Sequence, residues 1–376
     1  MDAALEQILA RAQARPRNLS VDDLTRLVSL EDPAERRAVY AAAYAQKCRV
    51  AGTCVSMRGL VEIGNVCAKD CLYCGIRRSN ATLDRYRLSV ADILRMAEVD
   101  ARAGYASLVL QGGEIEGEAN TAFIEDCLRA IAHLNLGVTL SLGEQEEDVY
   151  RRWRAAGAAR YLLRIETSSP ELYARLHPAD HSWTRRVQCL AALRRCGYQV
   201  GTGVMCALPG QTMADLARDI VFFGDMDVDM IGMGPYIPHP ETPLAAEPQP
   251  WDDAGRLRLG LNMIAATRLY LHDVNIAATT ALQALAPDGR EQGILAGANV
   301  MMPNVTDTAY RRRYQLYAGK PCLDENAQQC RDCLERRLAA IGERVNYGAR
   351  GDSAHFAART RAPQRGTPGA VAPLST

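Results

Sequence analysis

The chain has 376 residues, a length that suits two average domains or one large barrel. Lys and Arg number 44, as do Asp and Glu, so no excess charge draws the chain to nucleic acid or to an anionic membrane. Acidic Asp2 stands where a secretory signal needs a base, and the apolar runs are broken by charge. Twelve cysteines in such a chain predict a cytoplasmic protein with reduced, metal-binding thiols.

Helix signals dominate residues 1–52. Ser20 with Asp23 three positions on is a variant of the capping box, and the segment is predicted to be a helical extension. A second such start, Ser89 with Asp92, opens a helix-period segment that stops at Gly104.

Short apolar runs recur from residue 53 onward, and helix-period segments lie between most of them. Eight strands with interposed helices predict an α/β fold, a (βα)8 barrel over residues 53–305. A doubly wound open sheet is the alternative, because glycines and a proline blur the last two helices. The predicted strands are 60–63, 107–110, 138–141, 161–164, 200–205, 230–233, 275–277 and 298–301.

Three cysteines form a C-x3-C-x2-C motif after the first barrel strand: Cys67, Cys71 and Cys74. Thiolates are the preferred ligands of iron-sulfur clusters. A loop this short holds a 4Fe-4S cluster by three irons and leaves the fourth open, since the next cysteine is Cys127. The alternatives are a zinc site, which favours paired C-x2-C units, or three structural thiols.

Polar residues follow the ends of several predicted strands, which in a barrel meet on the catalytic face. Arg164 and Glu166 are two positions apart in one strand, so they point the same way and suit a zwitterionic ligand. The other strand-end groups are Asn65, 111–114, Ser141 with Glu144, and Thr279 with Thr280.

The cysteine motif, with aromatic Tyr73 before its third cysteine, resembles that of radical S-adenosylmethionine (SAM) enzymes. Within this superfamily the chain resembles the HydE family of FeFe-hydrogenase maturases from about residue 55 to 345. The segments that carry the resemblance are 65–78, 139–144, 161–167, 208–212, 234–240 and 298–304.

The resemblance implies a role for each matching residue. Cys67, Cys71 and Cys74 bind the SAM-cleaving 4Fe-4S cluster and are the catalytic set. Six residues are implied to hold SAM: Tyr73 near the adenine, Gly112-Gly113-Glu114 at the amino group, Arg186 at the carboxylate, and Glu166 at the ribose. The implied substrate cavity is lined by Thr139, Ser141, Arg164, Thr279, Thr280, Met302 and Tyr314.

A second trio, Cys322, Cys330 and Cys333, lies in the predicted C-terminal segment 306–347. By spacing alone these thiols bind a second iron-sulfur cluster, bind zinc with an outside ligand, or are idle; the resemblance implies an accessory cluster. Residues 348–376 have no apolar period and are predicted to be a disordered tail.

The activity implied by the resemblance is reductive cleavage of SAM to a 5'-deoxyadenosyl radical, which acts on an iron complex carrying CO, cyanide and cysteine. HydG is the implied source of that complex, HydF a further partner, and flavodoxin or ferredoxin the reductant. Methylornithine synthase is the alternative relative, and biotin synthase would need interior cysteines for a second cluster. An alternative of a different kind is a protein that binds or carries an iron-sulfur cluster without radical chemistry.

Overall fold

The computed structural model describes residues 2–361. Three helices precede the barrel: α1 Ala3–Ala14, α2 Val21–Val28 and α3 Pro33–Ala51. The Ser20 hydroxyl accepts from the Asp23 amide and the Asp23 carboxylate accepts from the Ser20 amide, so the predicted capping box is confirmed. Helix α3 begins with a proline at its first turn, where no amide donor is lost.

Eleven of the described strands build the barrel and its rim. They are β1 Cys54–Met57, β2 Gly59–Gly64, β3 Ser107–Gly112, β4 Gly137–Ser141, β5 Ala158–Leu162, β6 Gln199–Thr202, β7 Met205–Cys206, β8 Met230–Ile231, β9 Gly234–Pro235, β10 Asn275–Ile276 and β11 Val300–Met301. Seven of them form one parallel sheet in the order β10-β8-β6-β5-β4-β3-β2, and β7 pairs with β9 above it.

Helices between the strands cover the outside of this sheet. They are α4 Val90–Arg102, α5 Glu118–Ile131, α6 Glu147–Ala155, α7 Pro170–Leu176, α8 Trp183–Arg195, α9 Met213–Asp225, α10 Asp253–Leu271, α11 Thr280–Leu285 and α12 Gly289–Leu295, with short 3-10 turns at Ala132–Leu134 and Pro243–Ala246. The capping box at Ser89 is confirmed at the start of α4. The crossover helices bury the outer face of the parallel sheet, and most strand residues are buried.

Strand β11 closes the sheet into a barrel. On one side, Val300 of β11 forms a bridge with Ala277, just after β10. On the other side, Asn304, just after β11, forms a bridge with Leu60 of β2, and the Leu60 amide donates to the Pro303 carbonyl at 2.8 Å. The predicted (βα)8 barrel is confirmed, and the open doubly wound sheet is excluded.

The C-terminal part of the described chain returns to the barrel. It comprises α13 Thr308–Arg311, α14 Ala327–Ala340, β12 Arg344–Val345 and α15 Ala354–Arg361. Strand β12 pairs with the outer edge of β1.

Residues 349–361 belong to the segment predicted to be a disordered tail, but in the structure they form hydrogen bonds and ion pairs with charged residues at the amino-terminal end of the barrel. Buried Arg160 pairs with Asp352, and the Arg58 guanidinium donates to the Gly351 carbonyl at 3.1 Å. His355 Nε2 lies 2.8 Å from Asp227 Oδ1. The rest of the predicted tail, 362–376, is outside the described residues.

None of the helices within residues 2–361 combines the length and apolar character needed to cross a membrane.

Candidate active site

A cavity of about 330 Å³ opens at the carboxyl ends of the barrel strands, a volume within the range of small-molecule sites. Its wall includes all three cysteines of the C-x3-C-x2-C motif together with strand-end residues of β2, β3, β4 and β5. The irregular segment 314–322, which we call the strap, crosses one side of it and lines it through Tyr314, Leu316, Tyr317, Lys320, Pro321 and Cys322.

The first half of the cysteine loop is held by the end of β3. The Glu114 amide donates to Cys67 Sγ at 3.3 Å, and the Ala68 amide donates to the Glu114 carbonyl at 2.8 Å. At Gly113 any side chain would collide with this loop, since a Cβ would lie 2.0 Å from the Val66 carbonyl oxygen. Bare backbone is therefore required where the two segments meet.

The second half of the loop is organised by the Asp70–Arg77 ion pair and by the Arg85 guanidinium. The Asp70 carboxylate accepts two hydrogen bonds from Arg77, at 2.9 and 2.8 Å. The Arg85 guanidinium donates to the carbonyls of Asn65 and Ile76 at 2.6 and 2.9 Å. These contacts fix the loop in an open curve around the cavity wall.

The three thiols fit a cubane cluster better than a single ion. Within residues 2–361 no three His, Cys, Asp or Glu side chains meet closely enough to bind one metal ion, whereas a cubane spreads its ligands over different irons. Burial raises the pKa of Cys71 to about 12 and also raises the pKa values of Cys67 and Cys74. Metal binding must therefore displace protons from all three thiols.

A cluster of charges lies beside the loop where the resemblance places the amino acid part of SAM. Arg186 Nε lies 2.8 Å from Glu144 Oε1, and its Nη1 lies 3.9 Å from Glu114 Oε2. Lys69 Nζ lies 3.1 Å from Glu114 and 3.2 Å from Glu144. Arg186, Glu114 and Glu144 are all buried. The carboxylates suit the ammonium group of a ligand and the guanidinium suits its carboxylate, and SAM carries both groups.

Glu166 occupies a strained position on the cavity wall. Its φ is +67°, a left-handed conformation that is costly outside glycine and concentrates at functional sites. Its carboxylate accepts from Arg164, whose Nη2 is 2.9 Å away. Both side chains line the cavity, but they lie beyond the end of β5, so their common direction does not come from the strand alternation on which the prediction rested.

Tyr73 is packed against a histidine rather than left free. Its ring meets the edge of His177 at 5.4 Å between centroids, and its hydroxyl lies 3.3 Å from His177 Nε2. Burial lowers the pKa of His177 to about 3, so the ring is neutral at physiological pH.

Six of the seven predicted substrate residues line the cavity: Ser141, Arg164, Thr279, Thr280, Met302 and Tyr314. Thr139 does not. It lines a separate space of about 20 Å³ below, which shares Met302 with the main cavity. Its position follows from the strand register, because Thr139 lies two residues deeper in β4 than Ser141.

Only two of the three C-terminal cysteines line this cavity. Cys322, at the end of the strap, and Cys330, on α14, line the cavity, whereas Cys333 does not. Burial raises the pKa of Cys330 to about 11. Arg311 donates to the Cys322 carbonyl at 2.9 Å and to the Asn304 carbonyl at 2.9 Å, which ties the trio to the barrel rim.

Four charged residues of the cavity wall were not among the predicted site residues: Glu62, Lys69, Arg290 and Lys320. Glu62 on β2 is 1% exposed and pairs with Lys320 of the strap. The Asn304 side-chain Nδ2 donates to Glu62 Oε2 at 3.1 Å. A signal for Glu62 existed, because it alternates with Val61 and Ile63 and therefore faces the barrel interior. Nothing in the irregular strap identified Lys320.

A closed parallel barrel with a three-cysteine loop at its carboxyl rim defines a radical SAM enzyme. Residues 61–223 match the model of the radical SAM superfamily. The chain is 41% identical over 328 residues to the [FeFe] hydrogenase maturase subunit HydE of Thermotoga maritima, across 87% of this chain and 92% of that relative. The chain belongs to the HydE family of hydrogenase maturases.

More distant relatives share the barrel. The chain is 26% identical over 285 residues to 3-methylornithine synthase of Methanosarcina acetivorans, across 75% of this chain and 79% of that relative. A solved structure of methylornithine synthase superposes with a TM-score of 0.77 at 22% identity, covering 91% of this chain and 97% of that one. At this identity the superposition supports the fold alone.

Proposed function

We propose that the enzyme acts on an iron complex that carries CO, cyanide and cysteine and is supplied by HydG. When bound, a 4Fe-4S cluster and SAM supply a 5'-deoxyadenosyl radical, whose target would be the cysteine part of that complex. The observation that carries the proposal is the shared cavity wall, on which the cluster cysteines and the Arg164–Glu166 pair line one cavity. HydF and a flavodoxin or ferredoxin in the cytoplasm complete the proposed setting.

The residues of the chain would do three things for this reaction. Cys67, Cys71 and Cys74 would hold the cluster. Arg186 and Glu114 would orient the charged end of SAM, and Glu166 its ribose. The barrel wall would keep water away from a radical that attacks almost any C–H bond.

Charge in the cavity supports an amino acid as part of the ligand. Two opposite-charge pairs, Arg164–Glu166 and Lys320–Glu62, lie on its wall. Each offers a donor for a carboxylate and an acceptor for an ammonium group in a low-dielectric space.

The test uses purified, reconstituted protein with the HydG-derived iron complex, SAM and a reductant. We expect SAM to be consumed only with reductant and the adenosyl group to be recovered on the cysteine of the complex, as measured by mass spectrometry. Cys71→Ser should abolish both, because the cluster would lose one of its three ligands.

Two results would contradict the proposal. Plain 5'-deoxyadenosine with an untouched complex, alongside turnover of an amino acid such as lysine, would favour a mutase like methylornithine synthase. A cluster that binds without any cleavage of SAM would favour the scaffold alternative.

We also propose that Cys322, Cys330 and Cys333 bind an accessory iron-sulfur cluster. Cys322, the last residue of the strap, and Cys330 line the cavity wall, and Arg311 donates a hydrogen bond to the Cys322 carbonyl. Replacing all three by serine should lower the iron content yet leave most SAM cleavage, since these thiols lie outside the barrel strands. A folded triple variant that lost all turnover would contradict the accessory role.

A further inference from the structure

The cysteine loop has a third attachment besides β3 and Arg85. Its middle, residues 70–73, contacts the end of α7 and the connection from α7 to α8. The Leu72 amide donates to the Leu176 carbonyl at 2.9 Å. The Asp70 amide donates to His181 Nε2 at 3.1 Å, and the Tyr73 hydroxyl meets His177 Nε2 at 3.3 Å.

Both histidines present an acceptor nitrogen to the loop. His181 Nδ1 lies 2.7 Å from the Asp180 carboxylate, and His177 Nδ1 lies 2.9 Å from the Tyr173 carbonyl. Because a carboxylate and a carbonyl only accept, the proton of each ring sits on Nδ1. Nε2 of each ring is then free to accept from the loop.

The two acceptors flank one cluster ligand. Asp70 and Tyr73 stand on either side of Cys71, and Asp70 is locked further by two hydrogen bonds from Arg77. The rings themselves are held: His177 and His181 are 3% and 8% exposed, and His177 stacks on Tyr173 at 3.9 Å between centroids.

The same connection leads directly into α8, which carries Arg186 at its fourth residue. Helix α8 is capped by the Ser182 hydroxyl, which accepts from the Arg185 amide at 3.2 Å. A displacement of residues 177–182 would therefore move the loop around Cys71 and the start of α8 together.

We propose that His177 and His181 are positioning residues, which as hydrogen-bond acceptors fix the loop on both sides of Cys71 relative to Arg186. Both contact the loop, and neither lines the main cavity. This is a role in binding SAM to the cluster and does not depend on the proposed iron substrate.

The test compares leucine, which cannot accept, with glutamine, whose side-chain oxygen can. His181→Leu and His177→Leu should keep most of their iron but bind SAM about 3- to 10-fold more weakly, the size of one lost hydrogen bond. The EPR spectrum of the reduced cluster should respond less to SAM. His181→Gln and His177→Gln should recover most of the affinity.

Controls separate positioning from packing. His133→Leu, at an exposed site on the 3-10 turn after α5, should leave SAM affinity unchanged. Tyr73→Phe should reproduce His177→Leu, and the double variant should be no weaker than either single one, because both remove the same hydrogen bond. Asp180→Ala, at an exposed position, should weaken SAM binding in the same direction even if His181→Leu fails to fold.

Three results would overturn the proposal. Leucine variants with wild-type SAM affinity and EPR response would show that the acceptors are not needed. Equal losses in the glutamine and leucine variants would assign the effect to ring packing. Additive losses in Tyr73→Phe with His177→Leu would show that the two side chains act separately.

Discussion

Arg186 is a buried guanidinium between two buried carboxylates. Glu144 is its near partner at 2.8 Å and Glu114 the distant one at 3.9 Å. Burial works against its charge, yet the pKa of Arg186 lies well above its ordinary value because both carboxylates favour the charged form. A guanidinium has five N–H donors, so the contact with Glu144 leaves further N–H groups of Arg186 to bind a ligand.

Replacing Arg186 by alanine should weaken SAM binding by about 2 kcal/mol, or about 30-fold, because a charge-assisted hydrogen bond is lost in a dry site. Arg185→Ala is the matched control. It removes the same charge from the adjacent residue of α8, where the partner is exposed Glu146. Titration of the reduced cluster with SAM, followed by EPR, measures both. Equal affinities in the two variants would place the SAM carboxylate elsewhere, with Arg164 the next residue to change.

Site residues could be predicted from the sequence where their chemistry depends on residues that are close together in the chain. The spacing of the three cysteines is a local property, and the structure brings them to one cavity wall. Arg164 and Glu166 share that wall, but they lie beyond β5 and Glu166 has a φ of +67°, so strand alternation does not explain their position. Thr139 was placed in the cavity by resemblance, and the register of β4 instead sets it one layer lower. Lys320 was missed because its partner Glu62 is 258 positions away.

Helix α15 is held to the barrel by charge rather than by an apolar face, since none of its residues is buried. His355 lies between Asp227 and Asp273, at 2.8 and 3.3 Å. Arg359 reaches Asp229 at 2.8 Å and Asp227 at 3.3 Å. The helix was not predicted because such pairing partners, distant in sequence, leave no local pattern.

The docking of α15 should weaken in alkali. Hydrogen bonds to Asp227 and Asp273 raise the pKa of His355 from 6.5 to about 9. A raised pKa contributes stability that is complete below pH 6.5 and is lost as the pH rises through 9. Asp227 stays charged throughout, because His355, Arg194 and Arg359 lower its pKa. Its other neighbour is Arg17, at 3.1 Å.

Hydrogen exchange of residues 354–361 measures this effect. Between pH 6 and pH 10 we expect the local opening free energy to fall by about 1 to 2 kcal/mol, a value reduced for partial exposure. His355→Gln should remove most of the pH dependence, whereas His133→Gln should not. A pH dependence that survives in His355→Gln would assign the titration to another group.

At the scale of the whole molecule, the barrel followed from alternating strand and helix patterns, because each (βα) unit is built from neighbouring residues. The enclosure of the cavity did not follow. One side of it is the irregular strap, which reaches the cysteine loop where the Gly75 amide donates to the Leu316 carbonyl at 3.0 Å. A Cβ at Gly75 would lie 2.2 Å from the Gln315 carbonyl oxygen. The strap therefore approaches the loop closely at a glycine, although the strap itself has no regular secondary structure.

Strand β1 lies between β11 and β12, which pairs residues from near the two ends of the described chain. Cys54 and Arg344, partners in the β1–β12 register, are 290 positions apart. Contacts of such long range form late, since the loop between them must first be ordered. On the ribosome, Cys67, Cys71 and Cys74 therefore emerge long before the strand that closes the barrel is synthesised. Until β11 has been made, nascent chains therefore expose these three thiols, and exposed thiols are open to oxidation.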